Sequence, residues 1–152
     1  MRSHPLHLSM MAAVLLSGLV FSQADGRRDP GPRWGPAPAI FPAGAEFAVM
    51  QGDPSAAGKV FTVRLRFPDK YVIPAHQHPT DESITVIRGS FAVGMGDVFS
   101  EEGLTTLGAG DFIVAPAGMN HFARARGVTE VQVHAVGPFQ LTYADPKSDP
   151  RK

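Results

Sequence analysis

The chain contains no cysteine. That excludes disulfides, thiolate metal sites and thiol nucleophiles, and it leaves stability to packing, closure of the fold or a bound ion. Charge of either sign is balanced, with 14 basic and 14 acidic side chains. No basic excess is present to meet a phosphate backbone and no basic amphipathic helix to lie on a bilayer, so nucleic acid and membrane surfaces are not expected partners. No apolar run reaches the roughly 20 residues that span a membrane; the run from Leu8 to Phe21 has 14. Sustained helical periodicity with caps is absent too, apart from a short turn near residues 99–102. No Ser-His-Asp order and no pair of catalytic carboxylates stands out. Gly94-Met95-Gly96-Asp97 lacks the spacing and following helix of a phosphate cradle.

The beginning of the chain has the pattern of an export signal. Arg2 supplies a positive start, Leu8 to Phe21 an apolar centre, and Ser22-Gln23-Ala24 the small residues a signal peptidase reads. Residues 1–24 are therefore read as a signal peptide cleaved after Ala24, which places the protein in the periplasm or outside the cell; a retained anchor is the rival reading. The 152 residues less 24 leave 128, enough for one domain with a real core. Loss of Arg2 leaves 13 basic against 14 acidic residues, a net charge near −1.

Residues 25–44 are rich in proline and glycine. Proline fixes φ and has no N–H to donate, so this segment reads as an arm or linker. Its apolar members Trp34, Ile40 and Phe41 are expected to dock on a surface, either the domain's own exterior or a second protomer of a homodimer. From residue 45 to residue 144 the pattern is β. Phe61, Val63, Leu65 and Phe67 alternate with Thr62, Arg64 and Arg66, the clearest period of two in the chain. Further strands are predicted over residues 71–78, 83–88, 90–95, 111–115, 121–125, 129–135 and 139–143, most of them separated by Gly or Pro. Many short strands at this spacing predict an all-β sandwich or barrel. Residues 145–152 form a polar tail.

The chemistry concentrates in Pro74-Ala75-His76-Gln77-His78-Pro79-Thr80-Asp81-Glu82 and in His121. Residues i and i+2 of a strand share a face, so His76 and His78 project together with Gln77 opposite. Glu82 opens the next run, with Ile84 and Val86 on its face and Ser83 and Thr85 outward. His121 opens a later strand beyond the turn Pro116-Ala117-Gly118, with the small Ala123 and Ala125 on its face. Three imidazoles and one carboxylate make a candidate ligand set for one divalent metal.

The spacings resemble the two motifs of the cupin superfamily. The first motif, Gly-x5-His-x-His-x3–4-Glu-x6-Gly, is met by His76, His78, Glu82 and Gly89. The second, Gly-x5-Pro-x-Gly-x2-His-x3-Asn, is met by Gly110, Pro116, Gly118 and His121. Two positions depart: Lys70 stands where the leading glycine would be, and Ala125 where the final asparagine would be. The resemblance implies a single-domain, jelly-roll-like β-barrel with His76, His78, Glu82 and His121 around one divalent transition metal (Mn, Fe, Cu, Ni, Co or Zn). It also implies open positions for water, dioxygen or substrate. An exported protein meets little free ferrous iron, which favours Mn, Cu or Zn. Proteins similar in this ligand set include dioxygenases acting on flavonols or diketones, and oxalate-oxidising or isomerising enzymes.

The expected function is thus a metal-dependent, dioxygenase-like oxidoreductase acting on a small apolar or aromatic molecule, with Glu82 doubling as proton acceptor. The alternative is an exported module that binds a metal or small ligand without turnover. Three groups of residues carry secondary expectations. His134 is a proton shuttle if its strand face reaches the barrel mouth, and a surface residue if Val131 and Val133 face inward. Gln77, Thr80 and Asp81 are placed to hydrogen-bond the imidazoles. Phe91, Met95, Phe112, Met119 and Phe122 are candidates for a pocket wall, with Met119-Asn120 at its rim.

Overall fold

The computed structural model describes residues 31–152. The expected signal peptide, and the part of the arm before Gly31, lie outside the described residues. Among the described residues no helix is long and apolar enough to cross a membrane.

Nine strands follow in chain order: β1 (Gly35–Pro36), β2 (Glu46–Gln51), β3 (Val60–Phe67), β4 (Val72–Gln77), β5 (Glu82–Met95), β6 (Thr105–Gly108), β7 (Phe112–Ala115), β8 (His121–Val136) and β9 (Thr142–Tyr143). All pairings are antiparallel. The long strands β5 and β8 pair from Ser83↔His134 to Met95↔His121. Each serves two layers. In one, β7 pairs the first half of β5, whose other edge meets the second half of β8, and β3, β2 and β1 follow. In the other, β6 pairs the second half of β5, then come the first half of β8, β4 and β9. Register shifts between Val86 and Ser90 mark where β5 passes from one layer to the other.

The sequence pattern divides 83–95 and 121–135 into four strands, whereas the structure has two. The glycines at the breaks are bends inside continuous strands. Gly89 has φ +80°, and an added Cβ would lie 2.5 Å from the Val128 carbonyl oxygen, so only glycine fits. Strand β6 was not expected. Of its four residues only Leu107 is buried, which leaves almost no alternation to read.

Phe61, Val63, Leu65 and Phe67 face inward and are buried, as their alternation predicts. Arg64 and Arg66 lie on the outer face. Phe67 stacks between Tyr71 and Phe91, at 5.0 and 5.5 Å between ring centroids. The proline-rich segment is more than a surface cover. Gly35 and Pro36 add an edge strand to β2, Trp34 lies 3.9 Å from the Arg66 guanidinium carbon, and Phe41 inserts into the core, 5% exposed. The hydroxyls of the chain's two tyrosines pin this insertion. Tyr71 donates to the Pro42 carbonyl and Tyr143 to that of Ile40 at 2.7 Å. Burial raises the pKa of both phenols, that of Tyr143 to about 12, which keeps them protonated donors.

Candidate metal centre

Three strand ends converge at one end of the barrel. His76 lies on β4 opposite His121, the first residue of β8. His78 follows the end of β4, and Glu82 begins β5. The β4–β8 ladder shifts register between Ile73 and His76, where Pro74 has no N–H to pair. All four side chains are buried. One ring nitrogen from each of His76, His78 and His121 lies within 4.8 Å of the other two. Glu82 Oε2 is 3.3 Å from His78 Nε2 and 3.5 Å from His121 Nε2.

The opposite ring nitrogens explain the orientation. His76 Nδ1 is 2.7 Å from the Pro74 carbonyl oxygen, His78 Nδ1 2.7 Å from that of Gln140, and His121 Nδ1 3.2 Å from that of Met119. A carbonyl only accepts, so each contact places the proton on Nδ1 and leaves Nε2 as a lone pair aimed inward. Among the described residues, His78 Nε2 has no hydrogen-bond partner although it is buried. A buried, unpaired acceptor is costly in an apolar site and suits a cation. The donor set therefore fits a divalent transition metal.

The electrostatics hold His76 and Glu82 in a ligating form, whereas the Glu82 charge favours a proton on His78 that a bound cation would displace. Burial, with help from the neighbouring His121 and His78, lowers the His76 pKa to about 3, so its ring is neutral near pH 7. For His78 burial pulls the same way, but the Glu82 charge and the Gln140 carbonyl prevail and hold it above the ordinary value. Burial would raise Glu82; the His78 and His121 imidazoles outweigh it and hold the carboxyl well below the usual carboxylate range.

The four polar side chains open onto a cavity whose other walls are apolar, including Phe41, Leu65, Ile73, Phe91, Val93 and Val131. The space in it open to the centre of a water molecule is ≈ 20 Å³, somewhat above the roughly 10–15 Å³ that one water requires.

Several expectations change at this point. His134 was expected as a proton shuttle if its face reached the mouth. Val131 and Val133 face the core, and the exposed His134 ring lies on the outer face with Nδ1 2.9 Å from Thr62 Oγ1. It has no path to the cavity and is withdrawn as a catalytic residue. Thr80 and Asp81 do not bond the imidazoles. Thr80 Oγ1 donates to the Val136 carbonyl, and Asp81 accepts from the Ala117 N–H. Of the expected pocket residues only Phe91 lines the cavity. Met95, Phe112 and Met119 are exposed, and Phe122 is buried away from the cavity against Phe99. Asn120 donates to Asp97. The residues missed by sequence reasoning are Phe41, hidden in the proline-rich segment, and Phe139 with the Gln140 carbonyl, which touch His78 from a distant part of the chain.

An antiparallel curled sheet with a buried three-histidine cluster at one end is consistent with a cupin β-barrel. Residues 63–137 match the family model described as Cupin_2, a cupin domain. A putative germin-like protein 9-2 of Oryza sativa subsp. japonica is 37% identical over 79 residues, 51% of this chain and 35% of that protein. The chain thus spans about a third of the length of that curated relative. A cupin 2 conserved barrel domain protein from Rhodopseudomonas palustris superposes with a TM-score of 0.60 at 14% identity, covering 78% of this chain and 81% of that one. An oxalate oxidase structure superposes with a TM-score of 0.53 at 20% identity, covering 70% and 58%. At such identities the two structures speak to the fold alone. The cupin-domain match and the shared fold support placing the chain in the cupin superfamily.

Proposed function

We propose that the protein is an exported, mononuclear metal-dependent cupin enzyme of oxidoreductase type, with His76, His78, Glu82 and His121 holding one divalent transition ion. The observation that carries this reading is the fixed tautomer of three buried imidazoles. Each Nδ1 is tied to a backbone carbonyl, and the Nε2 atoms of His78 and His121 lie 3.3 and 3.5 Å from Glu82. A metal bound there would supply Lewis-acid or redox chemistry toward an oxygen-bearing substrate. The residues of the chain orient the site, exclude bulk water and keep Glu82 ionised as ligand and proton acceptor. Apart from these four side chains the cavity wall is hydrocarbon, which matches a small apolar or aromatic molecule in polarity, and the ≈ 20 Å³ of open space would have to widen to admit one. The fold hosts many chemistries and does not choose among them.

A second reading, a metal- or small-ligand-binding module without turnover, is favoured by one observation: the interior space is small. Oxygen uptake separates the two. Protein loaded in turn with Mn, Fe, Cu, Ni, Co and Zn would be screened against small diketones, phenols, flavonols and carboxylic acids. The enzyme reading expects saturable consumption of oxygen with at least one metal, lost in His121→Ala. Silence across the whole panel, with metal bound, selects the binding module.

A further inference from the structure

The three imidazoles are not held alike. His76 and His121 are oriented locally, each by the carbonyl two residues earlier in the chain. His78 lies beyond the end of β4 and is held by the Gln140 carbonyl, 62 residues away. Its ring is also covered by Phe139, at 5.4 Å between centroids and 18° between planes, the only near-parallel ring contact described for it.

The segment that does this is itself clamped. The Gly137 N–H donates to the Lys59 carbonyl, the Gly58 N–H to the Gly137 carbonyl, and the Phe139 N–H to the Pro54 carbonyl, at 2.7–2.9 Å. Gly137 passes so close to Ala56 that a Cβ would lie 2.5 Å from its carbonyl oxygen. The Phe139 ring packs on Phe61 and Phe41. A fixed ring face and a fixed carbonyl thus meet one imidazole from two sides.

We infer that Phe139 is a positioning residue for His78: its ring and the adjoining Gln140 carbonyl hold the imidazole in the Nδ1–H form with Nε2 aimed at the site. This rests on the proposed metal reading for its purpose, though not for its geometry. Contacts that orient metal-binding histidines typically change affinity by about 10–100-fold when lost.

The test uses two readouts on the mature protein. In the metal-free protein, ring ¹⁵N–¹H correlations report the tautomer of each histidine; cobalt(II) titration followed by absorbance reports affinity and coordination. Phe139→Leu fills most of the volume without a ring face. It is expected to shift His78 alone to a mixture of tautomers and to weaken cobalt binding roughly 10–100-fold. Phe139→Ala should do the same more strongly, and if it does not fold, the leucine variant decides. Phe139→Tyr keeps the ring face and should restore both readouts. An unchanged His78 tautomer and affinity in Phe139→Leu would overturn the inference. So would equal changes at His76 and His121, which mean general loosening. Wild-type protein that takes up no cobalt would defeat the metal reading, and the tautomer comparison would still decide the role of Phe139.

Discussion

Glu82 and Glu130 are buried almost equally, at 5% and 6% exposure, on adjacent strands of one wall. Their company differs. Glu130 turns to the outer face and is ringed by Arg64 at 3.1 Å, Arg88 at 3.6 Å and Arg66 at 3.7 Å, with Arg66 also on Glu46 at 3.1 Å. Glu82 turns inward to imidazoles. A guanidinium keeps its proton in proteins and has no lone pair to offer a metal, whereas a neutral imidazole has one. The same burial of the same group therefore makes a fixed structural clamp on one side and, on the other, a donor set that could hold a cation.

Acid should separate the two regions most strongly. His76 is held down to about 3 in the fold, against an ordinary value of 6.5. Between these values the unfolded chain takes a proton that the folded chain refuses, so stability falls as the pH drops through this window. For His76 alone the loss reaches roughly 4–5 kcal/mol at full development. Glu82, held low, adds to the loss as pH falls below its ordinary value of 4.5. His78, held above its ordinary value, works the other way: its contribution is present below 6.5 and lost as pH rises. The urea midpoint of the metal-free protein should therefore drop clearly from pH 7 to pH 4; a flat profile would contradict the picture of a neutral, buried His76.

Charge-removing substitutions sharpen the contrast. Glu130→Gln should cost roughly 2–3 kcal/mol of stability, below the usual cost of breaking a buried pair because the arginines are partly exposed. It should leave metal affinity within about threefold, a bound set by ~0.7 kcal/mol. Glu82→Gln should do the reverse, weakening metal binding by about 10–100-fold, or ~1.4–2.8 kcal/mol. Urea unfolding and metal titration on both variants check this, and equal effects of the two substitutions on metal affinity would erase the distinction.

The smallest effect concerns a departure from the motif. Lys70 stands where the pattern has glycine, and it adopts φ +63°. The backbone has kept the left-handed turn without the residue that tolerates it. Its N–H donates to the carbonyl of Ala125, the other departing position. Lys70→Gly is expected to stabilise by about 1 kcal/mol, read as a higher urea midpoint.

How much of this was legible in the sequence follows from where the information sits. Alternation is a local signal, so the inward faces of β3 and of Glu82-Ile84-Val86 could be read, and the spacing of His76, His78, Glu82 and His121 marked the residues that the fold brings together. Alternation also poses the question about His134 correctly, since Val131 and Val133 compete with it for the inner face. What it cannot reach are contacts made by irregular backbone. Phe41 lies in a proline-rich stretch without a period, and its insertion depends on two tyrosine hydroxyls 30 and 102 residues further along. Likewise, the partner of His78 is a backbone carbonyl, which every residue has, and so no residue type announces it. Thr80 and Asp81 looked suited to that role by chemistry and proximity in sequence; the turn instead spends them on the Val136 carbonyl and the Ala117 N–H.

An inward cluster built to hold one ion, as proposed, should carry that ion when the protein is isolated. The measurement is the metal content of the protein, isolated without added metal or chelator, beside that of His121→Ala. Close to one divalent transition ion per chain is expected in the first and a near-complete loss in the second. No metal in either, or the same stoichiometry in both, would contradict the proposal.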